Sequence, residues 1–251
     1  MDETILRVEG LRKSFGDFCA INGITLDIRP NMITSVIGPN GAGKTTLINL
    51  VTGSLRSDTG RVLFKGEDIT YLPIHKMMKR RINRSFQIMN FFPRLSVFDN
   101  VELSLLPVFG RSLSWFLRSN SYQDIIKAVE SVLEKVKLLD KKDLPAGQVS
   151  HGDQRLLELG IAIAPRPELC FLDEPSSGMG RSESFKVAEL IKKLSAEDKI
   201  TFVIIEHDMD VVFSLSDWIV VMNKGEVLTE GEPEQIKGNK EVQEIYLGKG
   251  G

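Results

Sequence analysis

The stretch "GPNGAGKTT", from Gly38 to Thr46, constrains the fold more than any other part of the 251-residue sequence. It fits the pattern G-x-x-x-x-G-K-[ST] and lies between an apolar run, "MITSVIG", and a helical pattern, "TTLINLVTG". Glycines at positions 38, 41 and 43 allow backbone conformations that other residues avoid, so consecutive N–H groups can surround phosphate oxygens at a helix N-terminus. The pattern therefore predicts a phosphate-binding loop between a β-strand and an α-helix.

The loop also carries a charge and a hydroxyl group. Lys44 supplies a positive charge for the β- and γ-phosphates of a nucleotide, and the Thr45 hydroxyl can ligate Mg²⁺. An ordinary glycine turn would explain the glycines but not this lysine and hydroxyl in the same strand-to-helix context. The residues predicted to bind the nucleotide here are Gly38, Asn40, Gly41, Ala42, Gly43, Lys44, Thr45 and Thr46.

Three apolar runs indicate a buried sheet. They are "MITSVIG" (32–38), "LCFLD" (169–173) and "TFVIIE" (201–206), and each is followed by turn residues or a helical pattern. Continuous apolar runs of this length are typical of parallel strands covered on both faces. The shorter alternating runs "ILRVEGL", "RVLFKGE" and "DWIVVMNKGEVLTEG" predict an additional antiparallel β layer. The expected fold is α/β, a P-loop NTPase core with a mostly parallel sheet.

The middle of the chain has a different pattern. Between about residues 88 and 165 helical periods dominate, as in "YQDIIKAVESVLEKVKLL", where apolar residues recur at three- and four-residue steps. We therefore expect a helical subdomain inserted into the α/β core, and one domain over residues 1–251.

Composition excludes several classes of protein. The formal net charge is −2, which gives no general attraction to nucleic acid, and no nucleic-acid partner is expected. The first residues are acidic, and no apolar run approaches the roughly 18–20 residues that span a bilayer, so a cytoplasmic location is expected. The two cysteines, Cys19 and Cys170, are too few and too far apart for a disulfide framework or zinc site, and both are predicted to be small buried apolar residues.

Two adjacent carboxylates follow the second apolar run. Asp173 ends the predicted strand, where it can hold Mg²⁺ directly or through water, and Glu174 can orient or deprotonate an attacking water. Adjacent carboxylates in a cleft are costly without a cation, so the pair itself indicates a metal. The alternative is two solvated carboxylates at a strand end.

A histidine follows the third apolar run. The imidazole of His207, in "EHDMD", can hydrogen-bond a γ-phosphate or the water while the protein holds its other nitrogen. A structural role is the alternative for a histidine at a strand end.

Other nucleotide-binding proteins fit less well. A GTPase would need D-x-x-G and N-K-x-D, but D-x-x-G is absent and the nearest approach to the second, "NKGE" at 223–226, replaces the base-reading Asp with Glu. A small-molecule kinase would need an arginine-rich lid, which no segment marks clearly.

Five segments together resemble one family. The phosphate loop, "RSFQ", "VSHGDQRLLELGIAIA", "LCFLDEP" and "VIIEHDM" occur in the order and approximate spacing of ATP-binding cassette (ABC) ATPase subunits, and the resemblance covers essentially the whole chain. It implies that Gln87 contacts Mg²⁺ or the water and reports the nucleotide state to a membrane subunit. It also implies that Phe15 stacks on adenine, although the residue alone would be assigned to the core.

Several longer segments resemble a particular branch of this family. "NRSFQIMNFFPRLSVFDNVELS", "VSHGDQRLLELG", "EHDMDVV" and "GEPEQIKGNKEVQEIYLG" are similar to importer ATPases for branched-chain amino acids and to their urea and amide relatives. Export of lipid or lipopolysaccharide stays an alternative, because "LPIHKMMKRRI" and "RLSVFDN" are similar to such subunits too. A third alternative is an ATP-switched assembly protein that works without a transporter.

The resemblance implies partners for this chain. Two such ATPase subunits close head to tail, so a chain with one phosphate loop needs a second copy or a paralogue. Integral membrane permease subunits, and indirectly a substrate-binding protein, would complete the transporter, with the ATPase peripheral on the cytoplasmic face of the inner membrane. Phe91 and Phe92 are candidates for the groove that receives a permease helix, or else anchor the helical subdomain internally.

The segment "VSHGDQ", Val149 to Gln154, departs from the family's commonest signature, Leu-Ser-Gly-Gly-Gln. It keeps Ser150 and Gly152, which can offer a hydroxyl and a backbone N–H to the partner's γ-phosphate at a helix N-terminus. Asp153 fits a capping box with Ser150 and is expected to point away from the nucleotide, because a carboxylate would repel phosphate. Gly180 stands where the family's loop after the catalytic Glu usually ends in Asp, and the resemblance implies that this loop couples the two sites.

Overall fold

The structure is a computed structural model that describes residues 4–84, 91–106 and 119–247. Gln87 lies outside these ranges. The described strands are β1 (Leu6–Phe15), β2 (Phe18–Ile28), β3 (Ile33–Ile37), β4 (Thr59–Phe64), β5 (Glu67–Asp68), β6 (Ile82–Arg84), β7 (Leu169–Asp173), β8 (Thr201–Ile205), β9 (Trp218–Asn223) and β10 (Glu226–Gly231). The described helices are α1 (Lys44–Val51), α2 (Ile74–Met77), α3 (Val97–Leu105), α4 (Ser119–Lys135), α5 (His151–Ile163), α6 (Arg181–Asp198), α7 (Met209–Leu215), α8 (Pro233–Lys237) and α9 (Lys240–Leu247).

The main sheet has the strand order β10-β9-β3-β8-β7-β6. Every adjacent pair is parallel except β9 with β10, which form an antiparallel hairpin at one edge. All residues of β3, β7 and β8 are buried, which explains why their sequences are continuous apolar runs. The predicted α/β fold with a mostly parallel sheet is confirmed.

A second, antiparallel sheet has the order β2-β1-β4-β5. Its first two strands form a hairpin in which Phe15 pairs with Phe18 at the turn. The additional antiparallel layer is thus confirmed, but the prediction that "DWIVVMNKGEVLTEG" belongs to it was wrong. β9 instead pairs in parallel with β3, since Thr34 lies opposite Trp218 in the main sheet.

Helices occupy the described chain between β6 and β7. The buried faces of α3, α4 and α5 meet in one apolar cluster, to which Val101, Val129 and Leu157 contribute fully buried side chains. The bounds expected for the helical insertion stay a prediction, because residues 85–90 and 107–118 lie outside the described ranges.

Two phenylalanines at the start of this helical region have different environments. Phe91 is buried and joins the apolar cluster, whereas 61% of Phe92 is exposed. The first therefore anchors the helices internally, and only the second is available for contact with another protein.

The two faces of the main sheet pack on different layers. Side chains such as Leu172 and Ile204 join the cluster of the middle helices, and their neighbours Phe171 and Val203 face the cluster formed by the antiparallel sheet and α1. This alternation is what a strand buried on both sides requires. In the part of the chain that is described, no helix is both long and apolar enough to cross a membrane.

The two cysteines are free thiols in different environments. Cys170 lies in the buried β7, as predicted, and burial raises the pKa of its thiol. The prediction that Cys19 is also buried was wrong, because it lies on the exposed hairpin of the antiparallel sheet.

Candidate functional site

The phosphate loop connects β3 to α1, as the sequence predicts. At Gly38 the backbone φ is 153°, and a Cβ atom would lie 2.2 Å from the backbone oxygen of Met222. At Gly43 φ is 100°, and a Cβ would lie 2.7 Å from the backbone oxygen of Ala20. The loop therefore passes so close to β9 and β2 that side chains are excluded at both positions.

Lys44 is the first residue of α1, and its side chain is buried. Its Nζ donates hydrogen bonds to the backbone oxygens of Gly38, at 2.7 Å, and Pro39, at 3.1 Å. Burial lowers the pKa of Lys44, while the charges of Glu174 and Asp173 act in the opposite direction. The ammonium group is thus held inside the loop, where it interacts electrostatically with Asp173, the last residue of β7, and with Glu174.

Asp173 ends β7 and is buried. Burial raises the pKa of its carboxyl group, and the guanidinium of Arg84, with Nη2 3.6 Å from Oδ2, opposes that rise. Arg84 also donates to Asn49 Oδ1 in α1, at 2.5 Å. A buried cation therefore connects this carboxylate to the helix that begins with Lys44.

Glu174 leaves the strand in a left-handed backbone conformation, with φ at 51°. Such a conformation is unfavourable for a residue with a Cβ and persists only where its surroundings impose it. Its N–H donates to the backbone oxygen of Ile205 at 2.9 Å, so the neighbouring strand β8 holds the turn. The strain is located at the residue predicted to activate water.

Glu174 and His207 meet in one cavity. His207 Nε2 lies 2.9 Å from Glu174 Oε1. The cavity has a volume of about 280 Å³. Its lining comprises Phe18, Ala20, Asn40, Gly41, Ala42, Gly43, Lys44, Thr45, Thr46, Glu174 and His207.

A buried carboxylate not predicted from the sequence joins the two sides of this cavity. Glu206 Oε1 accepts hydrogen bonds from the Ser176 hydroxyl, at 2.6 Å, and from its N–H, at 3.1 Å. Oε2 accepts from the N–H of His207 at 3.1 Å. Glu206 therefore fixes the loop after Glu174 relative to the strand end that carries His207. The sequence signal that could have indicated Glu206 is its position directly before His207.

The antiparallel hairpin contributes aromatic rings. Phe18 lines the cavity and is 64% exposed, while Phe15, its cross-strand neighbour, is 51% exposed and does not line it. The resemblance to the family pointed to Phe15 as the residue that stacks on adenine, and not to Phe18. Neither ring is in the core, so reading Phe15 as a core aromatic was wrong.

Ser150 and Gly152 lie at the start of α5 and do not line the cavity. Ser150 caps the helix, since its Oγ accepts from the N–H of Asp153 at 3.1 Å. The Asp153 carboxylate turns back, with Oδ2 2.7 Å from Ser150 Oγ and 2.7 Å from Lys141 Nζ. Within one chain, the structure thus separates the predicted signature residues from the phosphate loop.

The start of α5 instead contacts the loop that follows Glu174. A Cβ at Gly178 would lie 2.9 Å from His151 Nε2, so the imidazole lies against this glycine. Arg155 Nε donates to the backbone oxygen of Ser177 at 3.3 Å. The loop ends at Gly180, which precedes α6 and whose N–H lies 3.4 Å from Glu183 Oε2. The start of α5 and the loop after Glu174 are therefore in direct contact.

The cavity suits a phosphate accompanied by a divalent cation. In the described residues no group of three or more His, Cys, Asp and Glu side chains could hold a metal by itself. The donors present are the Thr45 hydroxyl in the cavity and the Asp173 carboxylate, and such a sparse oxygen set fits Mg²⁺, which keeps waters and binds substrate phosphates.

The fold and the cavity together define a nucleotide-binding protein of the phosphate-loop class. Residues 21–177 match the family model described as ABC transporter. The chain belongs to this ABC transporter family and is one of its ATP-binding cassette ATPases.

Curated relatives match over the full length. The chain is 37% identical over 258 residues to BraF, the high-affinity branched-chain amino acid transport ATP-binding protein of Pseudomonas aeruginosa, with 99% of this chain and 100% of BraF covered. It is 34% identical to LivG of Escherichia coli, which carries the same description, with 99% of this chain and 100% of LivG covered.

Solved structures match the fold as well. The ADP conformation of an ATP-binding cassette of an ABC transporter aligns with a TM-score of 0.86 at 33% identity, covering 98% of this chain and 99% of that one. The dimeric post-hydrolysis state of another cassette, bound to ADP and Pi, aligns with a TM-score of 0.76 at 25% identity, covering 91% and 98%.

Proposed function

We propose that this chain is the ATP-hydrolysing subunit of an ABC importer for branched-chain amino acids. The relatives BraF and LivG, which it matches over nearly their whole length, support the substrate class. The observation that carries the catalytic part is the 2.9 Å contact between Glu174 and His207 in the cavity that Lys44 and its loop line.

In the proposed reaction, water attacks the γ-phosphorus of ATP and the bond to the β-γ bridging oxygen breaks, giving ADP and phosphate. Glu174 orients the water and accepts its proton, and His207 donates from Nε2 to the γ-phosphate or holds the water. Lys44 exchanges its hydrogen bonds to the backbone oxygens of Gly38 and Pro39 for hydrogen bonds to the β- and γ-phosphates, whose negative charge it stabilises. Phe15 and Phe18 supply the aromatic face for adenine.

We propose Thr45, Asp173 and Gln87 as the residues that hold Mg²⁺. When bound, this ion neutralises charge on the phosphates. Burial raises the pKa of the Asp173 carboxyl group, and the nearby cation of Arg84 opposes that rise.

The complete site requires two chains. Ser150 and Gly152 of one chain would meet the ATP held by the phosphate loop of the other, which fits their absence from the cavity lining of their own chain. The solved dimer of a related cassette supports this arrangement. The second chain is a copy of this one or a paralogue.

The experiment that tests this proposal uses Glu174→Gln. The amide keeps the shape of the side chain but cannot accept the water's proton, so we expect ATP binding, loss of turnover and an ATP-dependent dimer in light scattering. Glu197→Gln, the same change at an exposed position of α6, is the control and should behave as the unmodified chain. Undiminished hydrolysis by Glu174→Gln would reject the role of this carboxylate.

We further propose that the ATPase binds peripherally to integral membrane permease subunits and, through them, works with a substrate-binding protein. Phe92 is our candidate for the permease contact because its ring is 61% exposed in a segment otherwise anchored by the buried Phe91. Phe92→Ser should lower co-purification with the permease, whereas Tyr71→Ser, at an equally exposed ring, should not.

Transport by the reconstituted complex tests the substrate class. The proposal predicts ATP-dependent uptake of leucine, isoleucine or valine into proteoliposomes. Uptake of urea or short amides, or export of lipid, would contradict the proposed substrate class. An active complex without any membrane subunit would contradict the role in transport.

A further inference from the structure

Three side chains form a connected group at the start of α5. Ser150 Oγ lies 2.7 Å from Asp153 Oδ2, and Lys141 Nζ lies 2.7 Å from the same oxygen. The N–H of Asp153 donates back to Ser150 Oγ at 3.1 Å. Lys141 ends a 3-10 turn, Leu139–Lys141, so it reaches the helix from outside α5.

The direction of the hydrogen bonds decides what Ser150 can offer a ligand. Burial opposes ionisation of Asp153, but the hydrogen bonds from Lys141 and Ser150 outweigh it and lower its pKa. An ionised carboxylate only accepts, so the single hydroxyl proton of Ser150 is donated to Asp153. A phosphate also only accepts, and it can bind this hydroxyl only by taking the same proton. Asp153 and a phosphate at Ser150 therefore compete.

We propose that Lys141 is a positioning residue for the signature segment. By donating to Asp153 Oδ2, it neutralises that carboxylate and weakens its hold on the Ser150 proton, so that Ser150 can turn its hydrogen bond to the γ-phosphate of ATP on a second copy of this chain. The inference rests on the proposed head-to-tail dimer and adds to it a residue that the sequence did not single out.

The charge balance gives the size of the effect. Without the lysine, one negative charge remains next to the place where a phosphate of roughly two negative charges arrives. By Coulomb's law in water, the repulsion between these charges at a separation of about 6 Å corresponds to about a tenfold loss of affinity. We therefore expect Lys141→Met to raise the ATP concentration for half-maximal dimerisation about tenfold.

Lys142 provides a matched control. It is the next residue in the chain, its Nζ also lies 2.7 Å from a carboxylate, Glu130, and the side chains of both lysines are 35% exposed. The ion-pair partner of Lys141 lies in the first turn of α5, whereas that of Lys142 lies in α4. A general effect of losing one surface ion pair would therefore affect Lys142→Met equally.

The experiment measures ATP-dependent dimerisation in the Glu174→Gln background for Lys141→Met, Lys142→Met, Asp153→Asn and the double variant Lys141→Met/Asp153→Asn. We expect the first to weaken dimerisation about tenfold and the second to leave it unchanged. Asp153→Asn should dimerise at least as well as the background, and the double variant should match it, because without the carboxylate the lysine is not needed.

A merely structural ion pair predicts another pattern, in which Lys141→Met and Asp153→Asn are impaired equally. That pattern, or equal behaviour of Lys141→Met and Lys142→Met, overturns the role of Lys141. If Glu174→Gln alone forms no dimer with ATP, the proposed function itself fails and this inference fails with it.

Discussion

Replacing Ser176 with alanine removes the hydroxyl that donates to Glu206 Oε1 at 2.6 Å. Glu206 is only 4% exposed, so water cannot restore the missing donor. Hydrogen bonds to charged groups contribute about 1.5–3 kcal/mol to stability, and this is the expected loss in the free energy of unfolding. For a chain of this size it corresponds to a melting temperature lower by roughly 3–12 °C.

Ser184→Ala is the matched control for this prediction. Ser184 is also buried, but its hydroxyl donates at 3.3 Å to the backbone oxygen of Gly180, which is a neutral acceptor. Its loss should cost about 0.5–1.5 kcal/mol. Urea denaturation gives both values, and the slopes should stay equal because neither change alters the surface exposed on unfolding.

The same change should also lower turnover. Glu206 links the loop after Glu174 to the N–H of His207. A weaker link would let Glu174 and His207, the two side chains proposed to be catalytic, move apart from their 2.9 Å contact. We expect a lower kcat for ATP with little change in KM. Equal losses of stability in Ser176→Ala and Ser184→Ala would refute the charge-assisted bond, and an unchanged kcat would refute its positioning role.

Three further predictions follow from individual residues. Cys19 should react rapidly with a thiol reagent in the folded protein and Cys170 only on unfolding, because burial raises the pKa of the second thiol; equal rates would contradict the fold. Stacking of a base on an aromatic ring contributes about 1–3 kcal/mol. Phe18→Ala should therefore raise the Kd for ATP measured by calorimetry. If Phe15→Ala raises the Kd and Phe18→Ala does not, Phe15 is the ring that stacks on adenine. The pKa of Asp153 in the folded protein lies below its unfolded value. The contribution of this carboxylate to stability should therefore be present above about pH 4 and be lost as the pH falls through the folded pKa. Urea denaturation at several pH values should show this pH dependence in the unmodified chain and not in Asp153→Asn.

The fold was predictable where local sequence carries the whole signal. β3, β7 and β8 are buried on both faces, so their apolar runs leave little choice of structure. β9 was assigned to the wrong sheet because its alternating apolar pattern and the turn at its end indicate a hairpin with β10 but do not indicate which strand lies on its other side. Its parallel partner β3 is about 180 residues away in sequence, and no local pattern records that pairing.

In the candidate site too, residues within contiguous motifs were predictable, whereas residues that act through distant contacts were not. The loop residues, Glu174 and His207 belong to contiguous motifs at strand ends, and parallel strands bring those ends to one edge of the sheet. Phe18, Glu206 and Lys141 were missed because their roles depend on contacts between segments 12 or more residues apart. Side chains of this kind are found only once the positions of the partner segments are known.

The central claim is that two chains share each ATP, and a crystal structure of the Glu174→Gln variant with ATP and Mg²⁺ tests it most directly. The account predicts that the γ-phosphate lies within about 2.7–3.2 Å of Lys44 of one chain and of the Ser150 hydroxyl and Gly152 N–H of the other, with Asp153 turned towards Lys141. An ATP bound entirely by residues of one chain, or with Asp153 against its phosphates, would contradict the account.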